Sequence, residues 1–141
     1  MRRTWLWGVC TAVVAVVALA GAAVAIAAAT GVYKGKTAQK QAVSLKLSAE
    51  QVTSFKIVIL DKCPDGHILR VTGRYPPMTV SNGRFGGAFV PVGGVKGERA
   101  TLSGTVGATK VTGSLKDASL SHKEGRICHG STKFSAKHRR A

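Results

Sequence analysis

Acidic residues are scarce in this sequence, in which six Asp and Glu stand against 21 Lys and Arg. Hydrolysis by paired carboxylates needs two acids that converge on one cleft. Here the acids are scattered along the chain, and most lie beside predicted turns, where solvated or turn-capping roles are the default. The sequence therefore predicts no paired-carboxylate site among its acids, which are Glu50, Asp61, Asp65, Glu98, Asp117 and Glu124.

Motifs for nucleophilic and phosphate chemistry are also missing. The sequence has no G-x-S-x-G element, phosphate-binding loop or dinucleotide fingerprint. The glycine-rich stretch 93–97 (GGVKG) precedes no helical pattern, and His122 and His138 lie in polar segments. We therefore expect a protein that is not an enzyme and has no catalytic residue, cofactor or metal.

No sustained helical period follows Thr30, whereas the segment before it is apolar throughout. Arg2 and Arg3 precede a run without charge over residues 5–29, and A-x-A patterns end at Ala27 and Ala29. This arrangement is typical of an export signal, although about 20 apolar residues also suffice to cross a bilayer. Residues 1–29 are thus predicted to form an apolar helix. It serves as a cleaved signal peptide or, alternatively, as a membrane anchor through residues 5–29, and either directs the rest of the chain outside the cytoplasm.

The remaining residues, 30–141, fit one small domain with a strongly basic charge. Arg2 and Arg3 belong to the leader, so 19 Lys and Arg against six acids leave this domain at +13. Outside a cell, such a charge attracts anionic envelope polymers or lipid headgroups. The lysines are spread along the predicted strands rather than forming a dense block, and we expect no specific nucleic-acid partner. The one basic cluster is predicted to be a frayed C-terminal tail containing Lys133, Lys137, His138, Arg139 and Arg140.

Cysteine is rare, and Cys10 falls in the leader. An oxidising compartment then makes Cys63 and Cys128 the available intrachain disulfide. Zinc held by these cysteines with His67 and His129 is the alternative. Adjacent strand residues point to opposite faces, so Cys128 and His129 are poorly placed to bind one ion. The disulfide is the favoured prediction.

Period-two alternation and turn residues predict eight or nine strands in an all-β antiparallel meander. In particular, Asn82-Gly83 predicts a type I′ hairpin turn. Residues Leu102, Gly104 and Val106 match Val111, Gly113 and Leu115 in the next strand. The strand segments are residues 32–37, 43–48, 52–60, 68–75, 78–80, 84–90, 99–106, 110–120 and 128–136.

The predicted disulfide constrains the shape of this meander. Bridging requires Cα atoms within about 7 Å, yet Cys63 ends the third strand and Cys128 begins the last. In a flat sheet they would lie several strand widths apart. The sheet is therefore expected to curl into a barrel or fold into a sandwich.

Several of these motifs together resemble a group of exported small β proteins that is common in high-GC Gram-positive bacteria. They are Tyr33-Lys34-Gly35-Lys36-Thr37, the turn 63–66, Asn82-Gly83-Arg84-Phe85 with Gly87 and Phe89, the strands around Gly104 and Gly113, and Cys128-x-Gly130 with Phe134 and Ala136. The resemblance implies the fold and the disulfide, but it transfers no activity.

Two functional hypotheses follow from these features. The first is a non-catalytic interaction or structural module of the cell envelope, held by its positive charge. The alternative is a closed barrel that encloses a small apolar ligand. Its lining would be Phe55, Tyr75, Phe85, Phe89 and Phe134.

Overall fold

The computed structural model describes residues 28–91 and 93–140, and these form an all-β antiparallel domain. The predicted leader helix lies almost entirely outside the described residues. Within them, no helix has the length and apolar character needed to cross a bilayer. The strands are β1 (Gly31–Thr37), β2 (Ala42–Ser48), β3 (Gln51–Lys62), β4 (Ile68–Tyr75), β5 (Met78–Thr79), β6 (Arg84–Phe89), β7 (Arg99–Val106), β8 (Lys110–Ser121) and β9 (Arg126–His138).

The local pairing follows the predicted pattern closely. Asn82 and Gly83 have φ values of 51° and 70°, as a type I′ turn requires. Leu102 pairs with Leu115, and Gly104 pairs with Gly113, in the β7–β8 register. The Pro76-Pro77 interruption leaves β5 only two residues long, and this short strand pairs with the start of β3.

The strand order β4-β3-β2-β1-β9-β8-β7-β6 curls back on itself. Its closure lies where the end of β3 meets the beginning of β9, with Lys62 opposite His129. One residue beyond Lys62, the sulfur atoms of Cys63 and Cys128 lie 2.06 Å apart, and their Cα atoms are 4.2 Å apart. The expected contact between the third and last strands is therefore confirmed. The strands β4 and β6 remain the two edges of the curled sheet.

Inward-facing side chains fill the centre of the domain, and an aromatic cluster forms its middle. Phe55 packs against Phe134 and Phe85, with ring centroids 5.3 and 6.1 Å apart. Gly104 and Gly113 lie beneath the rings of Phe85 and Phe134, where a Cβ atom would collide with each ring. These glycines let large rings pack directly on the backbone, which explains their presence inside strands.

The C-terminal basic segment is ordered in the sheet rather than frayed. Lys133, Lys137 and His138 belong to β9. The chain continues its contacts past this strand, because the Arg139 amide donates to the carbonyl of Val32 at 2.8 Å. The predicted frayed tail is therefore wrong for this segment, since pairing with β1 and β8 satisfies its backbone groups.

Candidate anion-binding surface and interior acid pair

A row of five cations and one serine crosses six neighbouring strands on the outer face of the sheet. The strand registers place each member directly opposite the next, from β4 through β3, β2, β1 and β9 to β8. Five of the six side chains are basic and exposed, and the sixth is a half-buried serine. This cation row consists of Arg74, Lys56, Ser44, Lys34, Lys137 and Lys110.

The cation row has no acidic counterpart. Like charges directly opposite one another on a sheet are destabilising, and Lys137 faces a lysine on both sides, Lys34 and Lys110. Within residues 28–91 and 93–140, the salt bridges present both involve His67 rather than a Lys or Arg. The row therefore presents uncompensated positive charge to solvent.

The first residues of the described chain contact β1 and β9 beside Lys34 and Lys137 of this row. The Tyr33 hydroxyl donates to the carbonyl of Ala29 at 2.6 Å, and a ring nitrogen of His138 lies 3.1 Å from the carbonyl of Thr30. Depressions on either side of this junction are lined largely by basic groups, including Lys34, Lys110, Lys137, His138, Arg139 and Arg140. Residues 29 and 30 and these basic groups thus lie at the same end of the domain.

A second charged cluster lies inside the sheet, near its closure. Asp61 continues the inward face of β3 and is completely buried. Asp117 of β8 faces inward and pairs with Gly130 of β9. The Asp61 carboxyl fills the space that a side chain at position 130 would occupy, so only glycine fits there. The closure of the sheet therefore brings together two acids that are 56 positions apart in sequence.

The environment of this interior acid pair disfavours ionisation of Asp61. Burial and the neighbouring Asp117 carboxyl raise the pKa of Asp61 to about 8. No N–H or hydroxyl group of the described residues donates to either oxygen of Asp61. Asp117 is better solvated and accepts a hydrogen bond from the Ser119 hydroxyl at 2.5 Å. This environment therefore favours the protonated form of Asp61 near neutral pH.

An open cleft leads from solvent to Asp117, between the edge strand β4 and the strands β7 and β8. Its volume is about 450 Å³. Tyr75 and Phe89 form an edge-to-face contact in it, with centroids 5.1 Å apart. Burial, followed by the charges of Asp117 and Asp61, raises the pKa of Tyr75. The other apolar lining residues include Val71, Pro76, Val90, Pro91, Ala100 and Ala118.

No protein-family model, curated protein or solved structure matches this chain. Its function must therefore be inferred from the two charged clusters and the cleft.

The residues of the alternative zinc hypothesis are not brought together as one ligand set. Cys63 and Cys128 lie at disulfide distance. The Nδ1 atom of His67 lies 3.4 Å from Glu124 and 3.6 Å from Asp65. His129 is exposed on the outer face, opposite Ala118. Hydrogen bonding between the two acids lowers the pKa of Asp65 and raises that of Glu124, so these side chains and His67 form a small ionic network beside the disulfide.

The sequence reasoning missed both charged clusters for the same reason. It treated the lysines as dispersed and the acids as scattered, and the structure contradicts both views. A signal for the acid pair was present in the alternation, because Asp61 is in phase with Ile59 and Cys63, and Asp117 with Leu115. Extending the inward phase through each acid would have placed both in the interior.

Proposed function

We propose that the protein is a non-catalytic extracytoplasmic module that binds anionic groups of the cell envelope through the cation row. The supporting observation is the alignment of five exposed cations across six strands without an acidic partner. The ligand class is a surface or polymer with repeated phosphate or carboxylate groups. A single small anion would meet only part of the row.

The geometry of the row suits a repeating anion. Neighbouring strands lie about 4.8 Å apart, so six strands extend the row over roughly 24 Å along the curved sheet. Each cation is exposed and hydrated, and contacts with it are therefore reversible and sensitive to salt. Binding would also relieve the repulsion between the three consecutive lysines at the β8 end of the row, Lys34, Lys137 and Lys110.

The position of the leader supports the envelope as the place of action. Residues 29 and 30 contact β1 and β9 beside Lys34 and Lys137 of the row. A retained leader would hold the row close to lipid headgroups, whereas a cleaved leader would free it to bind soluble or wall-bound polymers. The Cys63–Cys128 pair is consistent with an oxidising compartment outside the cytoplasm.

Neutralising the three consecutive lysines of the row tests this function. The variant carries Lys34→Gln, Lys110→Gln and Lys137→Gln, and its retention on immobilised polyphosphate is measured over a salt series, with the full chain in non-ionic detergent. Each lysine near an anionic surface contributes about 1 kcal/mol, so we expect an affinity loss of about 100-fold. The slope of log affinity against log salt should fall by about 3.

A control variant makes the same change in charge outside the row, with Lys46→Gln, Lys96→Gln and Lys123→Gln. Equal loss in the two variants would show that net charge alone holds the polymer and would overturn the proposal of a defined row. Vesicles with and without anionic lipid, used in parallel, distinguish a headgroup from a polymer as the source of the phosphate.

The alternative of a barrel that encloses an apolar ligand has less support. Phe55, Phe85 and Phe134 are buried against one another in the centre, where the ligand would need space. Tyr75 and Phe89 instead line a cleft that opens at the sheet edge. A ligand in this cleft would be partly exposed and would contact polar groups as well as rings.

A further inference from the structure

We propose that the cleft between β4 and the β7–β8 strands is a binding site for a small apolar amine, whose ammonium group is received by the carboxyl group of Asp117. The cleft shares Arg74 with one end of the cation row, but the proposal does not depend on the proposed envelope function. The site combines a preformed cleft, an apolar wall and a half-buried acid at its inner end.

The dimensions and lining of the cleft suit a small organic molecule. A volume of about 450 Å³ lies within the usual range for ligand sites, roughly 300 to 1,000 Å³. Phe89, Val71 and Ala100 offer apolar contact, and the half-buried ring of Tyr75 lies back over Gly73, where it forms part of the wall. The apolar body of a ligand would bury surface that the curled sheet leaves open between its edges.

Asp117 identifies the polar end of the ligand. It is the one acid that lines the cleft among the described residues, and it lies against the completely buried Asp61. Its carboxyl group accepts a hydrogen bond from the Ser119 hydroxyl and has capacity for further donors. An ammonium group supplies three N–H donors and a positive charge, whereas an alcohol supplies one donor and no charge. An amine is therefore the better partner for this carboxyl group.

The arginines at the mouth are compatible with this polarity. Arg74 and Arg99 line the rim and are exposed. Water and salt screen their charges, while the charge of the acid pair acts in a buried environment where screening is weak. The rim arginines also offer partners to an anionic group at the far end of the ligand. The site is therefore expected to distinguish between ligands mainly by the group that each one places at the inner end of the cleft.

A pair of isosteric probes tests the proposal, cyclohexylmethylamine and cyclohexylmethanol. Binding to the full chain in non-ionic detergent is followed at pH 7 by calorimetry and by changes in the NMR signals of Tyr75 and Phe89. We expect the amine to bind at least about 10-fold more tightly than the alcohol, as expected for a charged hydrogen bond. Asp117→Asn should remove that preference and leave the weak alcohol binding unchanged.

Three further variants keep the test decisive. Asp61→Asn, which changes the buried neighbour of Asp117, should leave the preference for the amine in place, and so should Asp65→Asn, which removes an exposed acid outside the cleft. The triple lysine variant of the cation row should bind the amine as the unaltered chain does. Equal affinities for amine and alcohol, amine binding that survives Asp117→Asn, or an absence of signal changes at Tyr75 and Phe89 would overturn the proposal.

Discussion

The cation row and the interior acid pair are both clusters of like charge, but the first is exposed to water and the second is buried. On the outer face, hydration and salt allow five cations to stand in line while remaining charged. In the interior, the cost of burying charge is reduced by proton uptake, because the carboxyl pair cannot ionise fully. One cluster is therefore controlled by ionic strength and the other by pH.

This difference has a functional counterpart. An exposed row suits reversible contact with a large anionic surface, since many weak interactions add together along it. A buried pair suits selective contact with one small group, since each unsatisfied hydrogen bond is costly there. The two clusters are thus proposed to serve different ligands on the same small domain.

The largest expected effect comes from removing the constraint that keeps the acid pair enclosed. Replacing both bridge cysteines, Cys63→Ala with Cys128→Ala, should lower the free energy of unfolding by about 4 kcal/mol, because the bridge closes a long loop in the unfolded chain. Denaturant titration measures the loss. An effect below about 1 kcal/mol would show that the β3–β9 closure is maintained without the bridge.

A smaller effect on the free energy of unfolding is expected when Asp61 is replaced by a residue that cannot ionise. The pKa of Asp61 is about 8 in the folded chain, against 3.8 in the reference state. Between these values the folded chain holds a proton that the unfolded chain has released, so the free energy of unfolding falls as pH rises from about 4 to 8. The full difference between these pKa values corresponds to roughly 5 kcal/mol, and the loss of the Asp61 contact with Asp117 offsets part of it. Asp61→Asn should therefore remove this slope and stabilise the protein at pH 8 by roughly 2 to 3 kcal/mol.

Thermal or denaturant unfolding at several pH values measures this effect. Glu50→Gln, which alters an exposed acid in a turn, is the control and should leave the slope unchanged. If Asp61→Asn destabilised the domain equally at pH 4 and pH 8, Asp61 would be ionised throughout, and the contrast between the two clusters would fail.

The smallest effect concerns repulsion within the cation row. Lys137→Gln removes the lysine that faces Lys34 and Lys110, so it should raise the free energy of unfolding by about 0.5 kcal/mol in low salt. The gain should disappear near 1 M salt. Lys46→Gln is a suitable control, because Lys46 lies opposite Val32 and Ser54 rather than other cations. A gain of equal size in both variants would mean that general charge, rather than the row, is responsible.

Much of the fold was predictable because its signals are local. Alternation along the chain marked the strands, and Asn82-Gly83 set a hairpin turn whose φ values match the expectation. The matched x-G-x patterns around Gly104 and Gly113 gave the β7–β8 register. The expected disulfide also predicted that the last strand contacts the third. This was the one long-range contact that could be predicted from the residues alone.

The candidate sites depend on contacts for which the sequence carries no comparable signal. Lys34 and Lys137 are neighbours only because β1 pairs with β9 in one particular register. Asp61 and Asp117 meet only because the closure at Gly130 brings β3 against β8 and β9. A shift of one residue in either pairing would exchange the inward and outward faces and dismantle both clusters.

The sequence by itself determined that the chain after Thr30 is basic, all-β and antiparallel, because side-chain alternation and turn chemistry act over a few residues. Only the tertiary structure determined which charged side chains are neighbours and which of them are exposed to water. This arrangement depends on sheet curvature and on pairing between distant strands, and these are set by packing of the whole domain rather than by any one segment.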